Sequence, residues 1–169
     1  MSEHRRVLAE QGLRVFGGKP EDLFTSWRYL QDVAAKFFSD LHPVSNMTAW
    51  KRFCDLNIYD ACVARNSRGE ICCVAYTTRQ TPRSLTFHAF SGPPYRTPLI
   101  TLPAATLAIE YFFQAHNLVR LDTVGRWDNR MARMVATKLG FQPEGRLRSF
   151  LPHDGVWKDY YLASIVRSA

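Results

Sequence analysis

The chain has 169 residues, 46% hydrophobic and 22% charged, a balance that excludes a disordered tail, a collagen-like rod and a disulfide scaffold. A chain of this length is expected to form one domain over residues 1–169, burying roughly 68–70% of its unfolded surface without covalent staples. Lys and Arg number 22 against 15 Asp and Glu, and the resulting +7 suits partners rich in phosphate: nucleic acid, ribosomes, nucleotides or coenzymes.

Leu13-Arg14-Val15-Phe16, closed by Gly17-Gly18, reads as a first strand. Pro20-Glu21-Asp22 then opens a helix, with acids at its positive end and Phe24, Trp27, Leu30, Val33, Phe37, Phe38 and Leu41 forming an apolar stripe. Pro43 ends it, because proline disfavours helical geometry at the residue before it. Residues 45–54 predict a second short helix that buries Trp50 and Phe53. Residues 59–64 and 71–76 predict a hairpin around Asn66-Ser67-Arg68-Gly69, and residues 84–90 a third strand. A helix is expected over 101–115, a strand over 118–124 and a helix over 129–139 that stops at Gly140. Residues 146–151 and 156–165 predict a last hairpin around His153-Asp154-Gly155. The order is β-α-α-β-β-β-α-β-α-β-β. Strand–helix alternation implies parallel pairing in the second half, and the hairpins imply antiparallel edges. The expected architecture is an α/β (α+β) mixed sheet flanked by helices.

No stretch approaches the roughly 20 apolar residues of a membrane helix, and residues 1–6 lead into no apolar signal core, so a cytoplasmic protein without membrane contact is expected. Cys54, Cys62, Cys72 and Cys73 form no CxxC pair and no zinc-spaced cluster. They read as reduced core cysteines, and no metal site is expected.

The second half carries a family likeness. Phe113-Gln114-Ala115-His116-Asn117-Leu118-Val119-Arg120, then Asn129-Arg130-Met131-Ala132, Lys138-Leu139-Gly140-Phe141, Glu144-Gly145-Arg146 and Gly155-Val156-Trp157-Lys158-Asp159 occur in the order of the closing half of GNAT acyltransferases. The chain therefore resembles that family over about 60 residues at motif level, and in element order before them. Its tail is most similar to the branch that acetylates the N-termini of ribosomal proteins.

The resemblance implies transfer of an acetyl group from acetyl-coenzyme A to a primary amine, such as a protein N-terminus, by direct attack. It also implies a Gly-rich pyrophosphate turn at the head of the central helix, where free N–H groups and the helix dipole meet the anion. Counted back from Phe113, its glycines would fall near Thr97 and Leu99; neither is glycine, and Pro98 and Pro103 remove donors. Arg96, Thr97, Leu99 and Thr101 are the candidates for this turn, with Thr101 the expected N-cap and Pro103 in the first turn. Asn129 matches the family position that meets the pantetheine arm and equally suits an N-cap. Arg133 belongs to a basic group, with Arg126, Arg130, Lys138, Arg146 and Arg148, that suits the coenzyme's 3′-phosphate, RNA or a ribosomal surface. His88 is the candidate base, and Asp122 the family's acidic position or an ion-pair partner of Arg120. The family's helix tyrosine would fall at Ala136; Tyr160, Tyr161 and Ser91 are the candidates for its proton-donor role. The alternative is a protein of this fold whose coenzyme site is lost or altered, acting in binding or assembly or on another acyl donor.

Overall fold

The computed structural model describes residues 2–18, 23, 24, 26, 27 and 44–167. It opens with a helix that the periodicity did not announce, α1 (Glu3–Glu10). Ser2 caps it by accepting the Arg5 N–H at 3.4 Å. Leu8 then packs with Leu13, Ile100, Ala104 and Leu107. Strand β1 (Leu13–Gly18) follows. The helix expected over 20–41 lies outside the described residues, apart from Leu23, Phe24, Ser26 and Trp27. Leu23 and Trp27 are buried.

Helix α2 (Met47–Asn57) starts two residues later than expected, because Asn46 Oδ1 accepts the Ala49 N–H at 2.9 Å. It buries Trp50 and Cys54 against the sheet. Strands β2 (Ile58–Asn66), β3 (Ile71–Thr81) and β4 (Ser84–Ser91) form an antiparallel meander. Asn66 Oδ1 builds its first turn by accepting the N–H groups of Arg68 and Glu70, both at 3.0 Å. A short 3-10 turn, Pro93–Tyr95, leads to the central helix α3 (Pro98–His116). Then come β5 (Arg120–Arg126), α4 (Arg130–Lys138), β6 (Gln142–His153) and β7 (Val156–Val166). Asp154 and Gly155, at φ 52° and 70°, close the last hairpin with the two-residue turn that matches strand twist.

Helix α4 explains the Leu-Gly-Phe signature. Gly140 takes φ 92° and donates to the Thr137 carbonyl, while the Phe141 N–H returns to the Ala136 carbonyl at 3.0 Å. Phe141 is driven thereby into the core, 1% exposed.

Among the described residues seven strands form one sheet in the order β1-β2-β3-β4-β5-β7-β6, antiparallel except for β4 and β5. This is the mixed sheet flanked by helices that the element order implied. One face packs Leu85, Phe87, Leu121 and Tyr161 with α3 residues Ala105, Ile109 and Phe112 and with Phe141. The other packs Ala61, Val63, Val74 and Tyr76 under Trp50 and Cys54 of α2. Side chains alternate along a strand, so neighbouring residues of β4 and β5 belong to opposite faces.

Candidate active site

The parallel pairing of β4 with β5 is brief. Ser84 opposes Arg120, Leu85 opposes Leu121 and Thr86 opposes Asp122; β4 then continues to Ser91 and β5 to Arg126 without further pairing to each other. The two strands part at their carboxyl ends. Each feeds a helix there, β4 into α3 and β5 into α4, so both helix N-termini stand at the mouth of the opening. Ligands of open α/β sheets bind in such crevices.

At the head of α3 the N-cap is Thr97, not Thr101 as expected, because the helix begins at Pro98. Proline at the first position is pre-set for helical φ, which shifts the start back. Pro103 accordingly lies inside the helix, one turn beyond the expected place. The Thr101 hydroxyl is 3.3 Å from Ser91 Oγ and 3.4 Å from the Tyr95 carbonyl, tying the first turn to the end of β4. Arg96 Nε donates to the Ser91 carbonyl at 2.9 Å, which anchors that guanidinium beside the same turn. The Ile100 and Thr101 N–H groups both go to the Thr97 carbonyl. The Thr97 and Leu99 N–H groups have no partner among the described residues, and the Leu99 side chain is 68% exposed.

His88 and Tyr161 flank the opening from opposite faces. His88 alternates with the core residue Phe87, so it lies on the α2 face; its ring stacks on Tyr76 with centroids 4.9 Å apart and planes 21° from parallel. Trp50 and Phe53 meet the Tyr76 ring edge-on in turn. Burial pushes the His88 imidazole down to about 4, so it is neutral at pH 7. Tyr161 lies on the α3 face, its ring laid across Gly125 of β5: a Cβ there would come within 2.7 Å of Cε1 and 2.8 Å of the hydroxyl. Burial raises its pKa, with a hydrogen bond to Thr123 opposing.

Asp122 belongs to the closed end of the opening instead. It is 3% exposed and pairs with Arg120 at 2.6 Å, with Ser84 Oγ 3.5 Å away. Arg120 also grips Glu144 at 2.5 Å, and Ser164 donates to the other Glu144 oxygen. Both contacts hold the Glu144 carboxyl below its ordinary pKa. His88, Tyr161 and Asp122 thus occupy three places rather than forming one hydrogen-bonded constellation.

At the head of α4, Asn129 Oδ1 caps the helix by accepting the Ala132 N–H at 3.1 Å. The Arg133 and Arg146 guanidinium groups both lie against the Trp127 ring, 4.4 and 4.8 Å from its centroid. Arg146 is itself paired with Asp159, whose backbone carbonyl accepts the Trp127 N–H. This bracket fixes the β5–α4 turn to the last hairpin. Neither it nor the Gly125–Tyr161 contact was read from the sequence. A lone glycine inside a strand pattern is a signal of close approach that could have found the second.

The four cysteines are free and buried, as expected. Burial raises Cys54 and Cys62 to about 12 and Cys73 to about 11, so these thiols stay protonated and are no nucleophiles at pH 7. Among the described residues no helix is long and apolar enough to cross a membrane.

No family model matches the sequence, and no curated protein matches it. Solved structures do. A GNAT-family acetyltransferase from Bacillus anthracis superposes with a TM-score of 0.74 at 18% identity, over 91% of this chain and 94% of its own. Ribosomal-protein-S5-alanine acetyltransferase from Vibrio fischeri gives 0.72 at 21% identity, over 92% and 93%. Spermidine N-acetyltransferase from Vibrio cholerae, solved with CoA and spermine, gives 0.74 at 15% identity, over 92% and 96%. At these identities the likeness is one of fold, and the fold is that of GNAT acetyltransferases.

Proposed function

We propose that the protein is an acyltransferase that moves an acetyl group from acetyl-coenzyme A to a primary amine. The observation that carries this reading is the parting of β4 from β5, with His88 on one face of the opening and the Tyr161 hydroxyl on the other. An amine can enter from one face while the thiol leaves toward the other.

Acetyl-coenzyme A, when bound, supplies a thioester carbonyl carbon that the amine nitrogen attacks, the C–S bond breaking as the C–N bond forms. His88 is the candidate to take the proton that the amine loses, directly or through water: its imidazole is neutral at pH 7, though burial makes it a weak base. The Tyr161 hydroxyl gives the departing sulfur its proton and regains one from His88 through solvent. Backbone N–H groups of β4 past Thr86 are the donors for the carbonyl oxygen. Arg96 and the Thr97 and Leu99 N–H groups suit phosphate at the mouth, and Asn129 and Arg133 stand at the other helix head. Asp122 positions β5 through Arg120.

Two acceptors are suggested by the structural neighbours, a ribosomal-protein alanine and spermine. A net charge of +7 repels a polyamine and favours the first class, a protein N-terminus displayed by an RNA-rich or acidic assembly. The three prolines at 93, 94 and 98 favour a second reading, a non-catalytic binder on the same scaffold.

Calorimetric titration with acetyl-coenzyme A, followed by thiol release with N-terminal peptides, separates the two. Micromolar donor binding and peptide-dependent thiol release are expected. His88→Ala should lower kcat more than donor affinity. No donor binding at millimolar concentration leaves only the binder.

A further inference from the structure

We infer that the donor site grips an acyl-4′-phosphopantetheine arm by a single phosphate and gives no hold to the second phosphate or the adenosine of a coenzyme A thioester. This rests on the acyl-transfer reading above and names the part of the donor that the site recognises.

An α-helix ordinarily offers four free N–H groups at its start. At α3 that number is two. Pro98 has none, and the Ile100 N–H is turned back to the Thr97 carbonyl at 3.0 Å, leaving Thr97 and Leu99. The segment before the helix adds nothing. Pro93 and Pro94 lack the donor; Gly92 donates to Cys72, Tyr95 to Gly92 and Arg96 to Pro93. Every main-chain N–H from 92 to 96 is therefore absent or already spent inside the protein. A pyrophosphate laid along this segment would find no free main-chain donor.

What remains suits one phosphate. Two N–H groups without a partner among the described residues stand on either side of Pro98, and the Arg96 guanidinium is held alongside by its Nε bond to the Ser91 carbonyl at the end of β4. The anchor places that charge where β4 has already left β5, at the outer end of the opening the pantetheine arm would fill. Beyond lies Leu99, an exposed apolar side chain that would have to be dehydrated against any second phosphate. Arg133, a candidate for a 3′-phosphate on α4, lies over the Trp127 ring with its Nε buried and without a hydrogen-bond partner among the described residues. Free coenzyme and the phosphopantetheine of a carrier protein share the recognised chemistry.

The full-length protein is titrated by calorimetry with acetyl-coenzyme A, S-acetyl-4′-phosphopantetheine, S-acetylpantetheine and adenosine 3′,5′-bisphosphate. The two phosphate-bearing thioesters should agree within about threefold, and loss of the phosphate should weaken binding about tenfold or more. The bisphosphate should not bind at millimolar concentration. Arg96→Met should erase the advantage of the phosphopantetheine thioester over the pantetheine one, with circular dichroism unchanged. Acetyl-coenzyme A binding more than about tenfold tighter than S-acetyl-4′-phosphopantetheine overturns the inference while leaving acyl transfer intact. If no thioester binds, the acyl-transfer reading itself falls. A last titration with acetylated acyl carrier protein assigns the source: tighter binding than the free arm identifies a carrier, and equal or weaker binding identifies soluble coenzyme.

Discussion

Gly125 and Tyr161 show how one absent methyl shapes a site. The Tyr161 ring crosses β5 only because Gly125 has no Cβ, which would lie 2.7 Å from the ring. Gly125→Ala is expected to cost about 1–3 kcal/mol by overpacking. Replacing Tyr161 by Leu in that background should recover part of the loss, a coupling that denaturant melts of the double-mutant cycle measure. Additive losses would mean that the ring is free to move. His88 makes a second prediction, about pH. Its folded pKa is about 4 against an ordinary 6.5, so between those values the unfolded chain binds a proton that the folded one refuses. The stability tied to this group is whole above pH 6.5 and is lost as pH falls toward 4. Wild type should therefore lose more stability between pH 7.5 and 4.5 than His88→Phe does, measured as the shift of the urea midpoint. Equal losses would show that His88 is not held neutral. At this scale the sequence was a partial guide. His88 was legible as a strand histidine, but its stacking on Tyr76 depends on a register across β3 that no local pattern reveals.

Elements were more legible than contacts, because periodicity and caps are local. Residues 129–141 announce helix, stop and return to the core in thirteen letters, and the structure realises them as Asn129 cap, Gly140 reversal and buried Phe141. The N-cap of α3 lies four residues before the expected Thr101, since Thr97-Pro98 and Thr101 both offer cap chemistry and Pro98, pre-set for helical φ, favours the earlier start. The α1 helix lacked an apolar stripe long enough to read, with Leu8 its one buried side chain. The parting of β4 from β5 is likewise invisible in sequence, yet its closed end has an identifiable lock. Arg120 is the partner of Asp122, and Asp122 is 3% exposed at the last paired register. Arg120→Gln leaves that carboxylate buried and unpaired, and should cost about 3 kcal/mol. Glu144→Gln removes only the exposed arm of the network and should cost far less. Chemical denaturation of the two variants ranks them; equal costs would remove Asp122 from the lock.

The described sheet falls into two segments, β1 to β4 and β5 to β7, joined by one short parallel register and by the core under α3. That core reaches across both, from Cys62 and Ala75 on one side to Leu121, Tyr161 and Ala163 on the other. Where β4 and β5 diverge, the described residues that bridge the segments are those of α3 together with Ala136 and Phe141. A ligand filling the opening would touch both and would favour the closed, folded arrangement over any in which they separate. Binding to the folded state alone stabilises it by about 2.7 kcal/mol at a ligand concentration of 100 Kd. S-acetyl-4′-phosphopantetheine should therefore raise Tm and slow amide exchange along residues 87–91 and at Thr97 and Leu99. Adenosine 3′,5′-bisphosphate at the same concentration should do neither. A Tm rise without protection of residues 87–91 would mean that the thioester binds elsewhere, and the opening between β4 and β5 would lose its claim to be the site.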